Sequence, residues 1–423
     1  MPSSKNYVLS ITIIGILFFI FGFITWLNGT LIPFLKLACD LHSDAQALLV
    51  TFAFYMAYFF LAIPSSFILN KTGYKKGMAL GLLVMAVGAV IFVPAASGRS
   101  FGLFLTGLFV QGMGLSLLQT ASNPYVSVIG PIESAAQRIS IVGICNKVAG
   151  ALSPIILGAI VLKGASEVEA KLASATDAGQ RDQLLQELSN RVIAPYIIMA
   201  IVLAVIALMT WFSALPEIES GGEDASEDSL SKGKNSIFQF PHLLLGALCL
   251  FLYVGAEVMA GDVIGQYGRS MGMSLDETKS FTSYTLVSMV AGYIIGIVAI
   301  PKYIKQDIAL RICAVLGVAL TTVAFFAHGY ISILFIALLG LANSLMWPAI
   351  FPLAIEGLGK FTKIGAAFLI MGIAGGAIIP QIYGQMIKAL PVQTAFFVCT
   401  ASCYLYILFY AIKGHKVGKK VTV

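Results

Sequence analysis

The chain has 423 residues, of which 58% are hydrophobic and only 11% are charged, and its formal net charge is +6. Soluble domains carry about 25% charged residues, so a mean hydropathy of +0.91 excludes an ordinary soluble protein and indicates an integral membrane protein. In such a chain the positive charge does not indicate a nucleic-acid partner, because the distribution of Lys and Arg sets the orientation in the membrane.

Twelve apolar stretches are long enough to cross a membrane as helices, which takes about 20 residues. In chain order they cover residues 9–36, 45–70, 77–95, 102–129, 136–163, 193–213, 241–268, 275–300, 307–328, 331–356, 362–388 and 393–413. These stretches are too long for the strands of a membrane barrel, so the predicted fold class is an all-α, multi-pass membrane protein. Lys and Arg are more frequent on the side of both termini, which predicts that both termini are cytoplasmic.

Two polar segments interrupt the apolar pattern. Residues 164–192 are charged and Ala-rich, which predicts a helical loop on the outer face. Residues 214–240 are acidic and rich in Gly and Ser, which is typical of a linker. We therefore predict an N-terminal six-helix bundle over residues 1–213 and a C-terminal six-helix bundle over residues 241–423, joined by a cytoplasmic linker.

A repeated pattern supports this division. The fifth and eleventh spans both contain Gly-x-x-x-Pro-x-x-x-Gly, at residues 150–158 and 376–384, an offset of 226 residues. The repeat predicts two pseudo-symmetric bundles that rock against each other around a cavity near the midplane. Glycines at this spacing also let helices pack closely, which is the purely structural interpretation. The residues predicted to matter for the conformational change are Gly29, Pro124, Gly150, Pro154, Gly376 and Pro380.

Few polar side chains fall deep within the spans. Placing an ionisable side chain at the centre of a membrane helix costs about 2.5–3.5 kcal/mol on insertion scales. Each such side chain should therefore face a cavity or a partner. The candidates are Asn28, Gln119, Asn123, Asn146 and Lys147 in the first half, and Glu257, Asp262, Asn343 and Gln381 in the second half.

Gln119 and Asn123 are spaced i and i+4, so they share one face of the fourth span. Their amides could bind a polyol ligand or hydrogen-bond a neighbouring helix. Pro124 frees a carbonyl one turn back, which could bind a ligand or kink the helix. Trp347 lies one turn from Asn343 and is predicted to stack on the apolar face of a sugar, the alternative being contact with lipid.

Three ionisable residues are candidates for coupling transport to an ion. If Lys147 and Glu257 shared one cavity, each would lower the free-energy cost of placing the other in the membrane. They could also form a purely structural ion pair. Asp262 lies near the end of its span, where it could also be solvated. There is no phosphate loop, zinc-ligand spacing or Ser/His/Asp arrangement, so we predict neither an enzyme nor a cofactor other than a coupling cation.

Five segments resemble the fucose:proton symporter family of the major facilitator superfamily, and most of all its glucose/galactose transporter branch. They are "LNGTLIP" (27–33), "LLQTASNPYVSVIGP" (117–131), "YVGAEV" (253–258), "NSLMWPAIFPLAIEGLG" (343–359) and "MGIAGGAIIPQIYG" (371–384). The resemblance implies uptake of a hexose or related sugar across a bacterial inner membrane, driven by a cation, by a protein that we expect to be monomeric. The sugar class includes glucose, galactose, mannose, fucose and N-acetylglucosamine.

The sequence departs from the family pattern at charged positions. Fucose carriers of the family have acidic residues where this chain has Gly29 and Gln119. The glucose/galactose branch has Gln and Glu at positions 119 and 257, as here, but Asp at position 29 and Ser at positions 147 and 262. The resemblance therefore leaves two coupling hypotheses.

The first hypothesis is sodium symport, with Glu257, Gln119 and Asn123 as the main candidates for holding sodium and Asn146 as a further oxygen ligand. The second is that the ammonium group of Lys147 takes the place of a bound cation. Transport would then be coupled to protons through Lys147 or Glu257, or would be uncoupled. We favour proton coupling because an ammonium group repels sodium.

Two other classes of protein remain as alternatives. A transporter-like sugar sensor would need a cytoplasmic signalling domain, and we expect none from the few residues after position 413. A membrane enzyme on lipid-linked sugar would have to use Glu257 with Asp262.

Overall fold

The computed structural model describes residues 4–128, 135–175, 177–213, 215, 234–300 and 303–419, and the regular structure in this part of the chain is helical. The α-helices in chain order are α1 (Ser4–Thr25), α2 (Asn28–Ala38), α3 (Asp44–Ala47), α4 (Leu49–Ser97), α5 (Phe101–Val128), α6 (Ala135–Val161), α7 (Ala165–Ser174), α8 (Ala178–Asn190), α9 (Ile193–Phe212), α10 (Pro241–Gly261), α11 (Ile264–Ser270), α12 (Leu275–Thr278), α13 (Phe281–Ala299), α14 (Gln306–Phe326), α15 (Gly329–Asn343), α16 (Met346–Ile355), α17 (Thr362–Met371), α18 (Gly375–Met386) and α19 (Val392–Ile412).

Twelve helical segments of the described chain are long and apolar enough to cross a membrane, as the sequence predicts. Helix α4 forms most of the spans Asp44–Leu69 and Lys71–Ser97, and the backbone of Gly73, with a φ of 76°, interrupts the helix near their junction. The spans are arranged as two six-helix bundles, so the predicted fold class is confirmed. Most of the predicted linker, residues 214 and 216–233, lies outside the described residues, and the exact domain boundaries therefore stay a prediction.

Several spans are broken rather than continuous. The first is interrupted between α1 and α2, directly before Asn28, and the seventh ends at Gly261 instead of at residue 268 as predicted. The tenth is interrupted at residues 344–345 and the eleventh by a 3-10 turn, Gly372–Ala374. Broken spans leave backbone groups free inside the membrane, and such breaks are tolerated only where protein or a water-filled cavity surrounds them. Pro124 lies within α5, but its side chain is outside the described residues.

The two ends of the molecule differ. One end carries residues near both termini, and we call it the termini end. The other carries the predicted polar loop of residues 164–192, which folds into helices α7 and α8, and we call it the hairpin end. Arg181 and Arg99 tie the hairpin to its own bundle through Asp40 and Asp182.

The repeated Gly-Pro pattern lies at the boundary between the bundles. A Cβ atom on Gly150 would lie 3.0 Å from Leu286 of the second bundle, and one on Gly376 would lie 3.0 Å from Tyr55 of the first bundle. Pro154 and Pro380 lie inside their helices, four residues after each glycine. The two copies of the repeat therefore make equivalent contacts with the opposite bundle, as a duplicated unit predicts.

Replacing Gly22 with Ala should destabilise the first bundle. Helix α1 packs so closely on α6 that a Cβ atom on Gly22 would lie 2.0 Å from the carbonyl oxygen of Asn146, and backbone must move to make room. We expect the free energy of unfolding to fall by about 1–3 kcal/mol, measured as a lower melting temperature in detergent. Gly102→Ala is the control, because nothing lies within 4 Å of that Cβ position. Equal melting temperatures for the two variants would contradict this packing.

Candidate functional site

A cavity lies between the two bundles, with an empty volume of about 720 Å³ that includes open solvent. Six of the residues singled out from the sequence line it: Gln119, Asn123, Asn146, Lys147, Glu257 and Trp347. The cavity extends toward the termini end, because Ile139 and Gly143 near the start of α6 also line it.

Lys147 and Glu257 form an ion pair across the cavity. The Lys147 Nζ donates to Glu257 Oε1 at 2.9 Å, so the pair joins α6 of the first bundle to α10 of the second. The side chains are only 9% and 11% exposed. Tyr253 also donates to Glu257 Oε1, at 2.8 Å. The charged groups thus meet in a largely dehydrated place, where removing one of them leaves the other without compensation.

The amides of the first bundle lie on one wall of the cavity. Gln119 Nε2 donates to the hydroxyl of Tyr58 at 3.1 Å. Asn146 Nδ2 donates to the carbonyl oxygen of Phe18 at 3.4 Å. Asn123 lines the same wall one turn from Gln119, as the i, i+4 spacing predicts.

Aromatic rings form much of the remaining surface. Trp347 stacks on Phe351 with ring centroids 6.0 Å apart, and its ring lies 6.5 Å from that of Tyr253. On the opposite wall the Lys147 ammonium lies 4.5 Å from the centroid of the Trp26 ring, which is a cation–π geometry. Rings with amides and hydroxyls beside them are suited to a ligand with apolar faces and several hydroxyl groups.

The structure does not bring every predicted residue to the cavity. Asn343 is fully buried and accepts a hydrogen bond from Tyr404 at 2.9 Å, so it joins two helices of the second bundle. It lies on α15, whereas Trp347 lies on α16. The helix is interrupted between these two residues, so their spacing alone does not place them on one face. Gln381 also lies outside the cavity lining, on α18.

Asn28 and Asp262 lie beyond the cavity, toward the hairpin end. Both are fully buried, and neither lines the cavity, so of the two interpretations of Asp262 the solvated one does not hold in this structure. Asp262 follows directly on the end of α10 and accepts a hydrogen bond from Tyr55 at 3.1 Å.

Bonds between the bundles close the hairpin end. Ser283 Oγ donates to the carbonyl oxygen of Ala151 at 2.7 Å, deep between α13 and α6. Closer to the surface, Arg269 of the second bundle pairs with Glu169 of the hairpin at 2.5 Å. The Tyr55 to Asp262 hydrogen bond is a third link on this side of the cavity. A ligand in the cavity is therefore separated from the hairpin end by several layers of protein.

Tyrosines were the functional residues that the sequence reasoning missed. Tyr55, Tyr58, Tyr253 and Tyr293 all line the cavity. Tyr253 lies four residues before Glu257, so the helical period alone places both on one face. The tyrosines were overlooked because a tyrosine in an apolar span counts toward hydrophobicity, although its hydroxyl is a hydrogen-bonding group.

Comparison with known proteins shows which proteins this chain is similar to. The family model described as Major Facilitator Superfamily matches residues 14–380. A "Glucose/galactose transporter" of Brucella abortus is 35% identical over 98% of this chain and 96% of its own length. An "L-fucose-proton symporter" of Escherichia coli is 29% identical over 90% of this chain and 87% of its own. The crystal structure of the transporter FucP in its outward conformation has a TM-score of 0.74 and 29% identity, over 96% of this chain and 98% of that one.

Proposed function

The chain belongs to the Major Facilitator Superfamily and groups there with glucose/galactose transporters and fucose:proton symporters. From this premise we propose that it imports a hexose or related sugar by alternating access, coupled to a cation. The observation that carries the proposal is the cavity between the bundles, where Gln119, Asn123 and Trp347 offer amides and an aromatic face to one ligand.

The orientation follows from the charge distribution. With both termini cytoplasmic by the positive-inside rule, the hairpin end faces outward from a bacterial inner membrane. The bonds of Ser283 and Arg269 then close the outer side, while the cavity extends toward the cytoplasm. In the outward-facing state these bonds would be broken, and the sugar would reach the same residues from outside.

Protons are favoured over sodium as the coupling ion. The Lys147 ammonium lies 2.9 Å from Glu257 Oε1, where a sodium ion on this carboxylate would otherwise sit. A sodium ion near Gln119, Asn123 and Glu257 would therefore meet a fixed positive charge, and the repulsion disfavours its binding. An uncoupled facilitator would keep the same cavity and is distinguished by the transport experiment below.

A ligand screen tests the sugar class. Purified protein in detergent would be heated in the presence of glucose, galactose, mannose, fucose or N-acetylglucosamine, with the charged sugar glucuronate as the comparison. We expect at least one neutral sugar to raise the melting temperature in a saturable way, because a ligand that binds only the folded state stabilises it. If no sugar of this panel binds, the cavity does not serve a hexose.

Uptake into proteoliposomes tests the coupling. We expect accumulation of the sugar identified by the screen to persist without sodium and to collapse on addition of a protonophore. Accumulation that requires sodium would instead support sodium symport, and equilibration without accumulation under any gradient would identify a facilitator.

A further inference from the structure

Asp262 is a carboxyl group with too few partners for its surroundings. Its relative exposure is 0%, Oδ2 accepts one hydrogen bond from Tyr55 at 3.1 Å, and Oδ1 makes no hydrogen bond to the residues that the structure describes. The backbone N–H of Gly29, at the start of α2, also acts on this carboxyl group. A buried carboxylate normally needs several donors or a counter-charge, whereas Asp262 has at most two donors and no salt bridge within the described residues.

The charges around Asp262 do not balance. The charged groups that act on it are Glu257 on its own helix and Lys147 from α6, and the other titratable groups nearby are Tyr55 and Tyr58 on α4. Lys147 already pairs with Glu257 at 2.9 Å, and in the part of the chain that the structure describes Asp262 forms no salt bridge. Lys147, Glu257 and Asp262, all ionised, would carry one net negative charge in a dehydrated place, and one added positive charge would restore neutrality.

Tyr55 connects this carboxyl group to the cavity. Tyr55 lines the cavity, and its hydroxyl donates to Asp262, which does not line the cavity. The tyrosine belongs to the first bundle and the aspartate to the second, so their hydrogen bond crosses the boundary that opens during alternating access.

We propose that Asp262 carries the proton that drives sugar uptake, and that Tyr55 links it to the cavity while the hairpin end is closed. This inference rests on the proposed function and names the proton site within it. When the bundles separate at the hairpin end, Asp262 loses Tyr55 and faces the outer solution, where it binds a proton. When that end closes, the Asp262 O–H bond breaks as its proton passes to the Tyr55 oxygen. The proton of Tyr55 passes in turn to water in the cavity, so the tyrosine ends unchanged and Asp262 ends as a carboxylate.

The first test separates coupling from sugar movement. In proteoliposomes, Asp262→Asn should lose sugar accumulation driven by a pH gradient, yet retain exchange of internal for external sugar, because exchange needs no net proton movement. Asp262→Glu, which keeps the carboxyl group, should regain part of the accumulation. The control is Glu187→Gln, whose acid is 73% exposed on the hairpin and should leave both activities unchanged. Accumulation by Asp262→Asn at the wild-type level overturns the proposal, whereas its exchange activity would still support sugar transport.

The second test measures the movement of the proton itself. Sugar added to proteoliposomes of the wild-type protein in a weakly buffered, sodium-free medium should make the external medium more alkaline as protons enter with the sugar. Sugar entry without alkalinisation, or entry that occurs only with sodium, overturns Asp262 as a proton carrier while leaving sugar transport itself intact. Alkalinisation that persists when Asp262→Asn transports sugar overturns it as well.

Discussion

Gln119→Ala is expected to reduce sugar binding below the level of detection. Gln119 is 5% exposed on the cavity wall and is held in place by Tyr58 at 3.1 Å. Its loss would remove one or two hydrogen bonds to the sugar and leave the Tyr58 hydroxyl without its partner. Each lost hydrogen bond or unpaired buried group costs about 1–3 kcal/mol of binding free energy. A loss of about 1.4 kcal/mol corresponds to a tenfold lower affinity. Titration calorimetry with the sugar found in the screen measures the effect.

Gln111→Ala is the matched control for this variant. Gln111 lies on the same helix, α5, and is 1% exposed, but it packs against Gly88 and does not line the cavity. We expect its substitution to leave the affinity for sugar unchanged, whatever it does to stability. An unchanged affinity for Gln119→Ala, or an equal loss in both variants, would mean that this wall of the cavity does not contact the sugar.

Breaking the pair of Lys147 and Glu257 is expected to have the second large effect. Removing one partner of a buried pair leaves an uncompensated charge, at a cost of about 3–5 kcal/mol. Both single variants, Lys147→Ala and Glu257→Gln, should therefore melt well below the wild type. The double variant should recover much of the lost stability, because neither charge is then left alone. Melting temperatures of the four proteins in detergent form a double-mutant cycle that isolates the pair.

Transport by these variants should change in a way that stability does not explain. In Lys147→Ala we expect uptake to move to lower pH, because Glu257 has lost its counter-charge and a proton can supply it. The double variant should be folded but should not recover the wild-type pH dependence. A double variant no more stable than the single ones, or a Lys147→Ala variant with the wild-type pH profile, would show that the pair does not have this role.

The course of the chain through the membrane was largely predictable. Bilayer thickness sets the length of an apolar span, so composition alone locates the twelve crossings. The repeat at residues 150–158 and 376–384 indicates the duplication. The helix breaks were less predictable. The break before Asn28 has Gly29 and Pro33 as a local signal, whereas the one at residues 344–345 has only Pro348 downstream. A break of this kind depends on the surrounding helices, which satisfy the backbone groups that it frees.

The candidate site was most predictable where helices are continuous. Gln119 and Asn123 on α5, and Lys147 on α6, lie where depth and period together place them. For Asn343 the depth was readable, but its side chain accepts a hydrogen bond from Tyr404 inside the second bundle instead of lining the cavity. Asp262 lies just past the end of α10, so the helical period could not predict which residues surround it. Depth in the membrane can thus be read from hydropathy, while the direction of a side chain depends on an unbroken helix.

Sugar exchange is the measurement that tests the central claim most directly. Proteoliposomes containing the purified protein would be loaded with an unlabelled sugar from the panel and diluted into a trace of the same sugar carrying a radioactive label. We predict transient accumulation of label by the wild-type protein and by Gln111→Ala, and none by Gln119→Ala or by protein-free vesicles. Folded wild-type protein that exchanges none of these sugars would contradict sugar transport. Equal exchange by Gln119→Ala would contradict the cavity between the bundles as its route.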